Sequence, residues 1–232
     1  GYGQGNRPDR LMPLLELKDE SAGYNGKEIL RGLTLSIEPG ERIALIGESG
    51  AGKSTLLRLF YQRLGPAAVL MPQDSALVQA LTVFHNVYMG RLHQRSVWRN
   101  LRNLVLPARA DVEEVRKILV PLRLEEKIFS GVGELSGGQY QRTALARALF
   151  HTGDVIVADE PVSSVDEHQA REILQTMNAS KQTVILAMHD RALAIEFADR
   201  LIGVKDGQIV MDQNSAGMTP GDLDNLYLNG ME

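Results

Sequence analysis

Short apolar runs punctuated by glycine, with helical spacing between them, set the pattern of this chain. Leu14–Lys18 and Leu33–Ile37 read as strands separated by the turn-rich stretch Gly23-Tyr24-Asn25-Gly26. Arg42–Ile46 is a short apolar run ending in a glycine-rich turn, which suits a strand buried on both faces. Beyond that turn, Leu56, Leu57, Phe60 and Leu64 share one helical face, so a helix is expected to start near Lys53 and end at Gly65-Pro66. Ala68–Met71 reads as a second buried strand. From about Ala76 to Phe150 the pattern is mostly helical. Val115, Ile118, Leu119 and Leu122 lie on one face, and Pro121 must close or kink that helix. Leu145, Ala148 and Leu149 continue a helix that opens after Gly137-Gly138. Val155–Ala158 and Val184–Met188 are strand-like and flank a helical pattern around Ala170–Met177. Ile202–Val204 and Gln208–Met211 form a hairpin closed by Asp206-Gly207. Strands alternating with helices predict an α/β fold built on a mainly parallel sheet with right-handed crossovers.

Composition adds boundaries to this picture. With 232 residues, 44% apolar and 23% charged, the chain has the balance of a globular domain and length for a sizeable core. Gly1–Leu11 is rich in Gly, Asn, Pro and Asp and is expected to be a flexible leader ahead of a single domain from Met12 to Glu232. A net charge of −4 without a long basic run argues against nucleic acid as the partner. The absence of cysteine excludes disulfides and thiolate metal sites, and is compatible with a reducing cytosol. No apolar run approaches the ~20 residues that cross a bilayer, so membrane association is expected to run through a partner.

Two motifs carry phosphate chemistry. Gly47-Glu48-Ser49-Gly50-Ala51-Gly52-Lys53-Ser54 has the pattern G-x-x-x-x-G-K-S between a strand and a helix. Glycines let the backbone wrap closely round a phosphate, N–H groups point inward, and the helix adds its positive end. Lys53 is expected to bridge the β- and γ-phosphates of ATP, Ser54 to hold Mg²⁺, and Thr55 to complete the binding segment. Val155–Ala158 then delivers Asp159 and Glu160 to a strand's C-terminal end, where open α/β sheets bind ligands. Asp159 would orient Mg²⁺, through water, and Glu160 would be the general base on the attacking water. An acidic pair after a strand more often caps a helix; its company with the phosphate loop is what makes it informative.

Leu135-Ser136-Gly137-Gly138-Gln139, followed by Gln141 and Arg142, resembles the LSGGQ signature of ABC ATPases. Taken alone it also fits an ordinary Ser-capped helix. Further motifs of that family follow in order: Tyr24 before the loop, Gln73 after a strand, Ser163-Ser164-Val165-Asp166 after the acidic pair, and His189 ending the next strand. The resemblance runs from Leu14 to about Met211. It implies a P-loop NTPase core with a helical subdomain at about 76–150 carrying the signature, and an antiparallel β subdomain. Tyr24 would stack on adenine, Gln73 would contact Mg²⁺ and the attacking water, and His189 would touch the γ-phosphate. It further implies an ATP-dependent head-to-tail homodimer in which Ser136, Gly137, Gly138 and Gln139 reach the nucleotide of the other chain. Asp166 would lie in the loop joining the two sites.

Leu81–Leu92, with its T-V-x-x-N-V-x-x-G spacing, the Trp98-Arg99 pair, and Leu226-Tyr227 are similar to the ATPase of bacterial phosphonate importers. Trp98 read by itself would simply pack a helical subdomain. That resemblance implies a peripheral subunit at the cytoplasmic face of the inner membrane. A permease would contact the region near Gln73 and Val83–Leu92, and a periplasmic solute-binding protein would act indirectly. A lipoprotein-release or other exporter ATPase, and a soluble ABC ATPase of a phosphonate-processing complex, remain open alternatives. Only about 20 positions separate Lys53 from Gln73, fewer than the family usually has, so the antiparallel subdomain is expected to be shortened.

Overall fold

The computed structural model describes residues 12–24, 26–73, 77–163 and 165–227. The expected leader and Ser164 lie outside them. Among the described residues the main sheet has six strands in the order β4-β5-β6-β3-β7-β8. These are β3 (Arg42–Ile46), β4 (Ala68–Met71), β5 (Val155–Asp159), β6 (Thr183–Ala187), β7 (Arg200–Lys205) and β8 (Gln208–Asn214). The first five are parallel and β8 pairs antiparallel with β7.

Strand periodicity sorts the core into two layers. Ala44, Ile46, Ile156, Ala158, Val184 and Leu186 face one side, and Ile43, Leu45, Val155, Val157, Ile185 and Ala187 face the other. This is why the central strands read as unbroken apolar runs: both faces are covered. The first side carries α2 (Val83–Tyr88), α4 (Arg109–Leu119), α5 (Gly137–Phe150), α6 (Glu167–Ser180) and α7 (Arg191–Phe197). The second carries α1 (Lys53–Leu64), through Leu56, Leu57 and Phe60, and the strands β1 (Leu15–Tyr24) and β2 (Lys27–Ile37).

The β1–β2 pair departs from the short strands expected from sequence. Its register runs from Leu15↔Ile37 to Tyr24↔Lys27, through irregularities near Asp19, where φ is 53°. Those irregularities break the alternation on which the sequence reading relied. Between α1 and β4 lies a single 3-10 turn, Gly65–Ala67. Pro121 closes its helix as expected, since α4 ends at Leu119 and Val120–Leu122 tightens to 3-10. Trp98 on α3 (Val97–Val105) is 82% exposed, so it does not pack the helical layer.

Two buried charged side chains tie neighbouring elements together. Asp111 accepts from Arg99 Nε at 3.0 Å and from Asn103 Nδ2 at 2.7 Å. Burial alone would raise its pKa, but these hydrogen bonds prevail and hold it below the usual carboxylate range. Lys181, which follows α6, donates to the carbonyls of His151 and Gly153 and so pins the α5–β5 connection. Burial is the main cause that pushes its pKa down, to about 8. Between about 8 and 10.5 the unfolded lysine holds a proton that the folded one releases, so stability must rise with pH in that window. The stability of the wild type relative to Lys181→Met, from denaturant unfolding at pH 7.5 and 10, is expected to improve at the higher pH. A difference independent of pH would contradict that assignment.

Candidate active site

The chain leaves β3 at Ile46 and turns through the loop Gly47–Gly52 into α1. A Cβ at Gly47 (φ 144°) would lie 2.1 Å from the carbonyl oxygen of Val204, so the loop's first residue must lack a side chain to pass β7. Gly52 (φ 110°) precedes α1, and no side chain caps the helix there. The N–H groups of the first helical turn therefore remain as donors. Lys53 is 6% exposed, and its Nζ donates to the carbonyls of Gly47 at 2.7 Å and Glu48 at 2.9 Å. Burial lowers its pKa, while the charges of Glu160 and Asp159 oppose that shift. This is a dehydrated ammonium, folded back on its own loop, and an anion in the loop would compensate it.

Asp159 ends β5, and Glu160 follows with φ 52°, a strained backbone for a residue with a side chain. Its N–H donates to Ala187 of β6 at 3.1 Å, and its carbonyl accepts from Gln141 Nε2 at 3.2 Å. That second bond ties α5 to the turn carrying the carboxylate. Glu160 Oε1 lies 2.6 Å from His189 Nε2, and Oε2 accepts from Gln73 Nε2 at 3.4 Å. Three residues distant in sequence, Gln73, Glu160 and His189, thus meet beside Lys53.

They share a cleft of about 380 Å³ with the loop, lined by Gly50, Gly52, Lys53, Ser54 and Thr55 on that side. Ile29 of β2 also reaches this cleft; its run gave no sign of that in the sequence. Glu48 and Ala51 shape the loop through the bond from Ala51 N–H to the Glu48 carbonyl, 3.3 Å. Ser136–Gln139 do not line the cleft. Instead Ser136 caps α5 reciprocally, accepting from the Gln139 N–H at 3.4 Å while its own N–H donates to Gln139 Oε1 at 3.0 Å. Ser136 and Gly137 are exposed. The segment fits both a Ser-capped helix and a phosphate-binding signature: the cap is present, and its exposed hydroxyl retains a proton to donate. Asp166 N-caps α6, accepting from Gln169 N–H at 3.0 Å. Tyr24 ends β1.

Residues 30–163, from within β2 through the phosphate loop, signature and acidic pair, match the family model for the ABC transporter. The chain belongs to the ABC transporter family. Curated ABC relatives agree over most of its length. A phosphonates import ATP-binding protein of Pseudomonas syringae pv. tomato is 36% identical, with 88% of this chain and 88% of that protein aligned. One from Lactobacillus gasseri is 32% identical over 94% of this chain and 95% of the relative. One from Anaeromyxobacter dehalogenans is 35% identical over 93% of this chain, which spans 48% of that protein's length. Among solved structures, a dimeric ATP-binding cassette in a post-hydrolysis state with ADP and Pi superposes with a TM-score of 0.73 at 24% identity. That match covers 88% of this chain and 99% of the other and shows the shared fold. A bacterial Atm1-family ABC exporter with ATP bound gives 0.70 at 25% identity, over 93% of this chain and 42% of that one.

Proposed function

We propose that this ABC protein is the ATP-hydrolysing subunit of an importer for phosphonate or a closely related solute, working as a head-to-tail homodimer. The observation that carries the reading is the cleft itself. It gathers Lys53, Ser54, Gln73, Glu160 and His189, and leaves the signature donors facing outward. A γ-phosphate in that cleft would have donors on one side only, so a second chain must supply Ser136, Gly137, Gly138 and Gln139. Tyr24 stacks on the adenine, and Asp166 lies on the path between the two sites.

The chemistry then follows from these side chains. Lys53 leaves the loop carbonyls for the β- and γ-phosphates, and the loop N–H groups hold the remaining oxygens. The Glu160 carboxylate, fixed between His189 and Gln73, accepts the proton of the attacking water. His189 steadies that carboxylate and meets the γ-phosphate. Among the described residues no group of three or more His, Asp or Glu could hold a metal alone. Hydroxyl, amide and carboxylate oxygens are nonetheless hard donors of the kind Mg²⁺ accepts alongside phosphate oxygens and water. Ser54, Gln73 and, through water, Asp159 would hold it. Bound there, Mg²⁺ would draw charge from the phosphate oxygens.

Beside Gln73, a groove of about 230 Å³ lies between Met71 and Pro72 on one wall and Met89, Gly90 and His93 on the other. It supports docking of a short permease helix at the Gln73 and Val83–Leu92 region. No helix of the described residues is long and apolar enough to cross a membrane; in this reading the permease at that groove provides attachment at the cytoplasmic face. The phosphonate assignment rests on the Leu81–Leu92 pattern and the names of the relatives. The test is reconstitution of the chain with its native permease and solute-binding protein in proteoliposomes. Turnover is expected to rise several-fold when the binding protein carries a phosphonate. Stimulation by other solutes alone would overturn the substrate class, and partners lacking a permease would overturn the importer.

A further inference from the structure

The first N–H of the phosphate loop is engaged from the far end of the chain. Gly47 N donates to the phenolic oxygen of Tyr227 at 3.3 Å, across 180 positions of sequence. The other end of the same residue, the Gly47 carbonyl, accepts from Lys53 Nζ at 2.7 Å. A single glycine is therefore held by Tyr227 on one side and holds the phosphate-seeking ammonium on the other.

Several contacts keep Tyr227 in place. The preceding 3-10 turn, Pro220–Leu226, buries Leu223 and Leu226. Leu226 sits against Gly203 of β7, where a Cβ would come within 2.7 Å of it. Gly203 in turn pairs with Ile46, the residue before the loop. The Arg191 guanidinium lies 5.1 Å from the centre of the Tyr227 ring and donates to Asp224 Oδ1 at 2.6 Å and to the Pro220 carbonyl at 3.2 Å. Arg191 opens α7, two positions after His189. Burial pushes the Tyr227 phenol above its usual pKa, so it keeps its proton at neutral pH.

We propose that Tyr227 is a positioning residue for ATP: it fixes the Gly47 backbone, and with it the start of the loop that holds Lys53 before nucleotide arrives, in the geometry that receives phosphate. The proposal rests on the reading of this loop as the nucleotide site. Tyr227→Phe keeps the ring, the Arg191 contact and the packing, and removes only the acceptor. One partly buried hydrogen bond of this kind is worth about a 3- to 10-fold change in affinity. The expected result is a rise of that size in KM for ATP and in Kd for a fluorescent ATP analogue. At saturating ATP, kcat should stay within about twofold. Tyr227→Ala should shift both constants in the same direction and at least as far.

Binding is compared at temperatures equally far below each protein's melting midpoint, which removes any purely structural loss. An unchanged KM, or a shift that vanishes under this comparison, overturns the proposal. Lys53→Ala is measured alongside: if that chain bound ATP normally, the site reading itself would fail, separately from Tyr227.

Discussion

Glu160→Gln is expected to bind ATP, lose turnover by at least about 10²-fold, and accumulate as an ATP-bound dimer. General-base catalysis contributes about 10²–10⁴-fold, and this substitution removes the proton acceptor while keeping its shape. Binding should survive or tighten. The Glu160 charge acts on Lys53, and removing a negative charge beside the phosphates lowers repulsion. The amide oxygen can still accept from Gln73, so the cleft should keep its walls. Single-turnover hydrolysis and size-exclusion chromatography with ATP read both halves of this outcome. A variant hydrolysing ATP at near wild-type rate would sink the base assignment.

The second large effect concerns which chain supplies which donors. Lys53→Ala and Ser136→Arg should each be inactive alone. Arginine at 136 places bulk and charge on an exposed cap, whereas alanine at 53 removes the buried ammonium. Mixed in equal amounts, the two chains should regain about a quarter of wild-type activity, since half of the dimers carry one site free of both lesions. ATP binding at that site is measured in parallel. Recovery of neither binding nor hydrolysis would show that each chain completes its own site. Because the signature cap lies outside the cleft, that result would require α5 to swing within a chain, breaking the Gln141 bonds to Glu160 and Pro161.

Much of this was legible in sequence because the relevant signals are local. A glycine loop between an apolar run and a helical face, and an acidic pair after another apolar run, both state their geometry within a few residues. The central strands β3, β5 and β6 were similarly plain, since burial on both faces leaves no polar interruption. What was hidden lies in long-range pairing. Glu160 gave no sign that its backbone would be held by Gln141 from another helix. Tyr227 looked like a tail residue of a relative, and its contact with Gly47 depends on how β7 and the last 3-10 turn stack. The length of β1 and β2 was missed because backbone irregularity at Asp19 disrupts side-chain alternation. Helix α7 is short, and its start depends on Asp190 accepting from Leu193 N–H at 3.0 Å.

The strand order has a consequence for biosynthesis. In the sheet, β4 and β3 are separated by β5 and β6, which come much later in the chain. When the ribosome has released β3, α1 and β4, neither strand has its lasting neighbour. On the order of 100 further residues must emerge before β6 can fill the gap, roughly 5–20 s at ordinary elongation rates. Throughout that interval the phosphate loop has no acidic pair to face and its strand has two bare edges, the state in which nascent chains aggregate. A pause in translation within the helical segment would prolong the exposure of these edges.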